Sequence, residues 1–305
     1  MEAQDHNPAK ALWRYHAPAQ MNQVQLAIWT ELLEKRTGIC LAENRKSFLL
    51  TSLSTRMREL GYDSYDAYFQ YLTEGRRGVV EWEILVDRLT VHESRFYRDQ
   101  RSLALIQERF LPELSYKLGS IKNKEKSSID IWSLGCATGE EAYSLAMQVD
   151  DFMLRKTLNS YYSITASDIS SASLSIARKG VYHINRLKNV SANLLNLFFT
   201  REDENHYRVV ERLRERICFT RLNILNLSRA RLGMMDLIYC QNVLIYFKRC
   251  HRFAMLDQMV KHLRPGGLLI LGAGEISGWR HKDMQPFNYP GTLAFRRIHR
   301  DTSYE

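Results

Sequence analysis

Residues 129–147 read IDIWSLGCATGEEAYSLAM. Ile129 to Leu134 is an apolar run with β-branched and aromatic residues, the pattern of a buried strand. It breaks at Gly135 and Gly139, then Ala142, Leu145, Ala146 and Met147 recur at helical spacing. A strand, a glycine turn and a helix N-terminus form the ligand corner of a doubly wound α/β sheet, because glycine lets the backbone approach a ligand closely. Glu140 and Glu141 open that helix. A pyrophosphate would sit on those helix N–H groups, where two carboxylates repel it; a cationic cofactor is tolerated. S-adenosylmethionine, with its sulfonium and amino groups, therefore fits this corner better than a nicotinamide cofactor. The plainer alternative is an ordinary turn whose glutamates favour the positive end of the helix dipole.

The segments downstream continue the alternation. SITASDI (163–169) reads as a second strand with Asp168 at its end, placed to accept from both ribose hydroxyls of an adenosine or to cap the helix that follows. That helix, SSASLSIARK, stops at Gly180. Residues 235–239 and 268–272 read as further strands, the latter after the turn Arg264-Pro265-Gly266-Gly267. Between them Phe253, Leu256, Met259, Val260 and Leu263 mark a helix. After a helix at 191–199, Tyr207, Val209 and Val210 and then Ile217, Phe219 and Leu222 suggest short strands around a turn at 202–205. This is a small antiparallel insertion at about 200–222, although VERLRER fits a helix equally well.

Before residue 129 the pattern is helical. Residues 1–20 are polar with two prolines, the composition of a loose tail. Residues 21–90 read as a small all-α domain. Its first helix carries Leu26, Trp29, Leu32 and Leu33 and stops at Gly38. Its second has Phe48, Leu49, Leu53, Met57 and Leu60 inward and Arg45, Lys46, Arg56 and Arg58 outward. A short third helix carries Tyr65, Tyr68 and Tyr71, and residues 79–89 form the last. Residues 91–128 bridge to the α/β domain at 129–300, with a polar basic loop over 115–128.

Composition narrows the function classes. The chain has 305 residues, long enough for one large α/β domain and a smaller one, and its 45% hydrophobic and 25% charged residues are ordinary for a soluble globular protein. No apolar run reaches membrane-spanning length, and the N-terminus lacks a secretory core, so no membrane insertion is expected. The five cysteines are scattered without a CxxC pair, which favours free thiols in a cytoplasmic setting over a zinc site. The net charge of +9 is dispersed among acids, without a nucleic-acid-binding motif, so no nucleic-acid partner is expected. Such a surface would still attract an acidic protein.

Six ordered motifs carry a resemblance: TVHESRFYRD (90–99), SLGCATGEEAYSLA (133–146), ASDIS (166–170), GVYHINRL (180–187), DLIYCQNVLIYF (236–247) and LRPGGLLILGAGE (263–275). With these the chain, from about 21 to 298, resembles the CheR-type chemoreceptor glutamate methyltransferases. It is also similar to the PilK-like branch serving type IV pilus chemosensory systems. The resemblance implies an all-α domain on a Rossmann-like class I methyltransferase domain with a small β-subdomain. It also implies transfer of a methyl group from S-adenosylmethionine to glutamates on the cytoplasmic helices of a chemoreceptor, leaving S-adenosylhomocysteine. The family's cofactor clamp falls on His92, Ser94 and Arg98, its acidic loop on Glu141 and its ribose acid on Asp168. Its adenine-side pair falls on Asn223 and Ile224, its pair near the methyl group on Cys240 and Gln241, and its active-site tyrosine on Tyr246.

Each role has a physical reading. Arg98 can fork onto the cofactor carboxylate, and Ser94 offers a hydroxyl or a helix cap. Gly135 lets the turn come close, and Asn242 orients either the turn or the acceptor. Tyr246 can hold the acceptor carboxylate, or simply pack at a strand end. A glutamate of pKa near 4.3 is already ionised at neutral pH, so no general base, metal or covalent intermediate is needed. Two departures stand out: Gln241 replaces the family's usual arginine, removing a cation that steers a carboxylate, and His92 replaces asparagine or glycine. A methyltransferase of another acceptor class, and a cofactor-binding regulatory module, are the competing readings. Receptor docking is expected through Arg45, Lys46, Arg56 and Arg58, because receptor methylation helices are acidic. The loop 201–206 has no glycine and three acids, so tethering through a receptor's C-terminal pentapeptide is not expected.

Overall fold

A computed structural model of the chain describes residues 20–41, 45–90, 93–120, 128–156 and 161–299. The expected tail, apart from Gln20, lies outside them, as does His92. The chain divides into two compact units, one of residues up to 32 together with 41–89, the other of 33–40 together with everything from 90 onward.

The first unit is helical. It contains most of α1 (Gln23–Thr37), then α2 (Lys46–Leu60), α3 (Tyr65–Thr73) and α4 (Gly75–Leu89). Leu49, Leu53 and Met57 of α2 meet the core formed with Tyr65, Tyr68 and Leu72 of α3 and Leu85, Val86 and Leu89 of α4. Trp29 stacks on Tyr68 at 5.5 Å, and Tyr71 lies against Tyr62, also at 5.5 Å, so the tyrosines serve packing. Ser64 caps α3 by accepting from the Ala67 amide, and Gly61 closes α2 in the left-handed conformation.

Two expectations about α2 are corrected. Phe48 and Leu60 point outward, 41% and 36% exposed. Arg56 points inward: its Nε and Nη2 donate to the buried Glu81 carboxylate at 2.8 and 2.7 Å. Its Nη1 donates to Glu59 at 2.8 Å. Tyr68 Oη donates to the same Glu81 at 2.7 Å. The guanidinium is therefore the countercharge of a buried acid, and Arg56 leaves the docking set.

The second unit is built on a seven-stranded sheet in the order β6-β2-β1-β7-β8-β10-β9. Its parallel part comprises β1 (Ser128–Leu134), β2 (Tyr161–Asp168), β6 (Ile217–Arg221), β7 (Met235–Cys240) and β8 (Leu263–Leu271). Antiparallel β10 (Leu293–Arg297) and β9 (Met284–Pro286), unforeseen from the sequence, extend the β8 edge. Helices α7 (Glu140–Lys156), α8 (Ser171–Lys179) and α11 (Arg249–Lys261) supply the crossovers, so the central strands are buried and read as nearly continuous apolar runs. The expected turn Arg264–Gly267 is absorbed as an irregularity inside β8, where pairing jumps from Met235↔Leu263 to Leu237↔Leu268. Arg264 there bridges Asp130 and Asp236 at 2.8 and 2.6 Å.

The small antiparallel sheet has the order β3-β5-β4, from β3 (Val181–His183), β4 (Phe199–Arg201) and β5 (His206–Val209). The turn at 202–205 joins β4 to β5 as expected. The boundary at 200–222 is corrected: the subdomain begins at β3, residues 211–214 are helical, and 217–221 forms the edge strand beside β2. Burial of Ile217 against the large sheet outweighs its sequence proximity to β5. The expected basic loop at 115–128 is also shorter: α5 (Gln100–Leu105) continues through a π-helical turn, Ile106–Phe110, into α6 (Leu111–Ser120). Residues 121–127 lie outside the described part.

Candidate active site

In the large sheet the chain leaves β1 toward β2 and β6 on one side and β7 and β8 on the other. The carboxyl ends of these strands flank a switch point, the place where an open α/β sheet binds its ligand. Gly135, Asp168, Asn223 and Gln241 all follow or end adjacent parallel strands, so the sheet brings the expected site residues to one edge.

The glycine turn is held tightly. Gly135 and Cys136 donate to the Ser167 carbonyl at 2.7 and 3.0 Å, and Ala137 donates to Asp168 Oδ2 at 2.9 Å. Gly135 has φ +80°, and a Cβ there would lie 2.2 Å from Val243 Cγ2, so only glycine lets this turn meet the turn after β7. Asp168 Oδ1 accepts from Ser170 N at 2.9 Å, while the cap of α8 is Ser170, which accepts from Ser173 N. Asp168 is thus oriented by two backbone amides rather than acting as the cap itself.

The two glutamates opening α7 separate. Glu140 is fully buried and accepts from Arg186 Nη1 and from Thr138 Oγ1, both at 2.6 Å. It is neutralised, so it contributes less to repelling an anion than its sequence position suggests. Glu141 remains partly exposed and accepts from Ser133 Oγ at 2.6 Å. Burial pushes its carboxyl up to about 8; the Ser133 hydrogen bond and Arg98 draw it down, while Glu275 and Asp168 add repulsion. Among the described residues Glu141 forms no ion pair, so a cationic ligand beside it would stabilise its charged form. S-adenosylmethionine binding at neutral pH is therefore expected to release protons as Glu141 ionises. Calorimetry in two buffers of different ionisation enthalpy measures this; Glu141→Gln should abolish the buffer dependence, and a wild-type heat independent of buffer contradicts it.

The remaining residues divide between crevice and scaffold. Arg98 Nη1 donates to the Glu93 carbonyl at 2.8 Å, with its side chain one-third exposed. Ser94 caps no helix, since Asp99 caps α5; its carbonyl accepts from Arg186 at 3.1 Å. Asn223 spends its side chain on structure, donating to the Arg36 carbonyl at 2.7 Å and accepting from Leu225 N at 3.0 Å, while Ile224 is buried. Cys240 points into the core, and burial pushes its thiol well up. Gln241 is tethered at its amide nitrogen: Nε2 donates to Ser102 Oγ at 3.2 Å and to the Leu271 carbonyl at 3.0 Å, using both amide hydrogens. Asn242 has φ +58°, in keeping with the turn reading. Tyr246 ends a short 3₁₀ turn, Leu244–Tyr246, and its carbonyl accepts from Cys40 N at 2.7 Å.

Sequence reasoning missed one property of this site. Among the described residues the non-glycine positions with positive φ are Tyr97 (53°), Ala137 (46°) and Asn242 (58°). One lies in the clamp segment, one in the glycine turn and one in the turn after β7, so local backbone strain gathers where ligand binding is expected. Arg186 and Ser133 were also missed as partners of the two glutamates; Arg186 stood inside GVYHINRL as a lone cation in an otherwise uncharged motif.

A switch point at the strand ends, a glycine turn, an acid closing the second strand and a glutamate without an ion pair among the described residues form a nucleotide-cofactor fold suited to a cationic cofactor. The comparisons agree. Residues 92–288 match the family model for the CheR methyltransferase SAM binding domain, and residues 25–90 match that for the CheR methyltransferase all-alpha domain. Chemotaxis protein methyltransferase 1 of Pseudomonas aeruginosa is 34% identical over 248 residues, covering 80% of this chain and 86% of that one. The chemotaxis protein methyltransferase of Escherichia coli is 30% identical over 249 residues, covering 81% and 82%. That of Borreliella burgdorferi is 28% identical over 262 residues, covering 86% and 91%. The chain belongs to the CheR methyltransferase family and is an S-adenosylmethionine-dependent methyltransferase.

Proposed function

We propose that this chain methylates glutamate side chains on the cytoplasmic helices of a chemoreceptor, yielding a glutamate methyl ester and S-adenosylhomocysteine. What carries the reading is that the helical and cofactor-binding family models match in order along the chain, and that relatives matched over about four-fifths of it are chemotaxis protein methyltransferases.

S-adenosylmethionine supplies an electrophilic methyl group on a sulfonium. Asp168 would accept from its ribose hydroxyls, Arg98 and Ser94 would face its carboxylate, and Glu141 its amino group. The acceptor glutamate arrives ionised, so the protein's task is to desolvate that carboxylate and align it. Tyr246 would orient it, from a turn whose geometry Gln241 and Asn242 help to set. Calorimetry with S-adenosylmethionine, followed by a base-labile methyl-ester assay on receptor cytoplasmic fragments from flagellar and pilus-linked arrays, tests the proposal. Cofactor binding with labelling of another acceptor class, or with no transfer at all, would favour the competing readings.

Docking is proposed through Arg45, Lys46 and Arg58, without Arg56. Arg58 is exposed, its guanidinium donating along α2 to the Ser54 carbonyl and the Thr55 hydroxyl. Reversing the charges of Lys46 and Arg58 is expected to raise the receptor KM several-fold and flatten its salt dependence, leaving cofactor affinity unchanged. A KM insensitive to both charge and salt contradicts this docking face.

Recognition is proposed to be independent of a C-terminal pentapeptide. The loop between β4 and β5 is closed on itself: Asp203 Oδ1 accepts from Asn205 N and His206 N, both at 2.8 Å, and Arg201 Nε donates to the Asp203 carbonyl at 2.9 Å. Its acids repel a terminal carboxylate less than their number suggests, because Glu202 pairs with Arg208 and Asp203 contacts the His206 ring. The hindrance is instead the glycine-free, internally bonded loop. Titration with such a peptide should give no saturable binding at micromolar concentration.

A further inference from the structure

The turn that carries Tyr246 is gripped from both sides by two charged residues with no assigned role. Glu275, 1% exposed, accepts from Gly272 N at 2.8 Å through Oε2 and from Ile245 N at 3.4 Å through Oε1. Burial raises the Glu275 carboxyl, and the nearby amides of Gly272, Ile245, Asn242 and Leu244 draw it back down. Arg252 of α11 takes the opposite polarity: its Nε donates to the Phe247 carbonyl at 2.7 Å, its Nη2 to the Ile245 carbonyl at 3.3 Å and its Nη1 to the Glu275 carbonyl at 2.8 Å. Gly272 makes room for this arrangement, since a Cβ there would lie 2.5 Å from Glu275 Oε2.

A turn of this kind has amides and carbonyls that no ladder satisfies, and it holds Asn242 at positive φ. Charged hydrogen-bond partners are stronger than neutral ones and hold such a backbone in one arrangement. We propose that Glu275 and Arg252 are positioning residues for methyl transfer: the carboxylate ties the Ile245 amide to Gly272, the guanidinium gathers the Ile245 and Phe247 carbonyls, and together they hold the turn that carries Tyr246.

The test compares E275Q and R252K with the wild-type full-length chain. The glutamine keeps size but presents an N–H₂ group to amides that need an acceptor; the lysine keeps charge but loses the guanidinium fork. Three quantities are read: S-adenosylhomocysteine affinity by calorimetry, amide hydrogen exchange at 242–246 against 237–239 of β7, and kcat and KM on a receptor fragment that the wild type methylates. In both variants the expectation is affinity within about threefold, turn exchange at least about tenfold faster with β7 unchanged, and kcat at least about tenfold lower at similar KM. Turn exchange equal to wild type overturns the proposal, whatever the turnover. So does unchanged kcat, or exchange that accelerates throughout the large sheet together with lost affinity, which marks general destabilisation. The exchange arm needs no acceptor, so the clamp is judged separately from the assignment of the receptor as substrate.

Discussion

Arg56→Ala is expected to destabilise the helical unit by about 3–5 kcal/mol, the cost of leaving a buried acid without its countercharge. Glu81 is 3% exposed and lies among Tyr68 and the core side chains of α2, α3 and α4, where water cannot replace the guanidinium. The Arg56–Glu59 contact adds little, because Glu59 is solvent-exposed and also pairs with Arg88. Denaturant unfolding of the full-length chain, followed by a probe in the helical unit, measures the loss. The double change Arg56→Met with Glu81→Leu should restore most of it, since a buried ion pair replaced by apolar groups of similar volume is close to neutral. A single-variant loss below about 1 kcal/mol would place solvent, rather than Arg56, as the partner of Glu81.

Asp168→Ala is expected to weaken S-adenosylmethionine binding by about 1–3 kcal/mol, roughly 5- to 150-fold in Kd. Two effects act in the same direction. Two ribose hydroxyls would lose a charged acceptor, and the amides of Ala137 and Ser170 would lose the oxygens that orient the glycine turn and the start of α8. Asp168→Asn helps to separate them, since it keeps one acceptor for a backbone amide while removing the charge and the second acceptor. If the loss is mainly ribose recognition, the asparagine variant binds almost as weakly as alanine while matching the wild type in thermal stability. Calorimetric affinity unchanged in both variants would remove Asp168 from the cofactor site.

The site was legible in the sequence to the extent that its residues follow strands. The glycine turn, Asp168 and Gln241 stand at the ends of strands read at 129–134, 163–169 and 235–239, because apolar runs of strand length bounded by turn residues mark where strands end, whereas Asn223 came from the resemblance alone and follows a strand read into the small insertion. What each side chain does there was less legible. Gln241 looked like a neutral substitute for a substrate-facing cation, yet its amide is held by Ser102, 139 residues earlier, and by the Leu271 carbonyl. Asn223 looked like a ligand contact, yet its side chain caps a short helix and holds the Arg36 carbonyl.

Local sequence determined the main helices, the strands β1, β2, β7 and β8, the glycine turn and the acid closing the second strand, because those features depend on side-chain spacing within a few residues. Tertiary structure alone decided which charges are spent. Glu140 is neutralised by Arg186 and Glu141, its neighbour in sequence, has no such ion pair among the described residues; Arg56, seven residues after Leu49 and three after Leu53, finds its partner in Glu81, 25 residues away. It also decided that residues 217–221 join the large sheet rather than the small one. The physical reason is common to these cases: the partner of a buried charge or of a strand edge is chosen by what the topology brings within a few ångströms, and spacing along the chain carries no record of that choice.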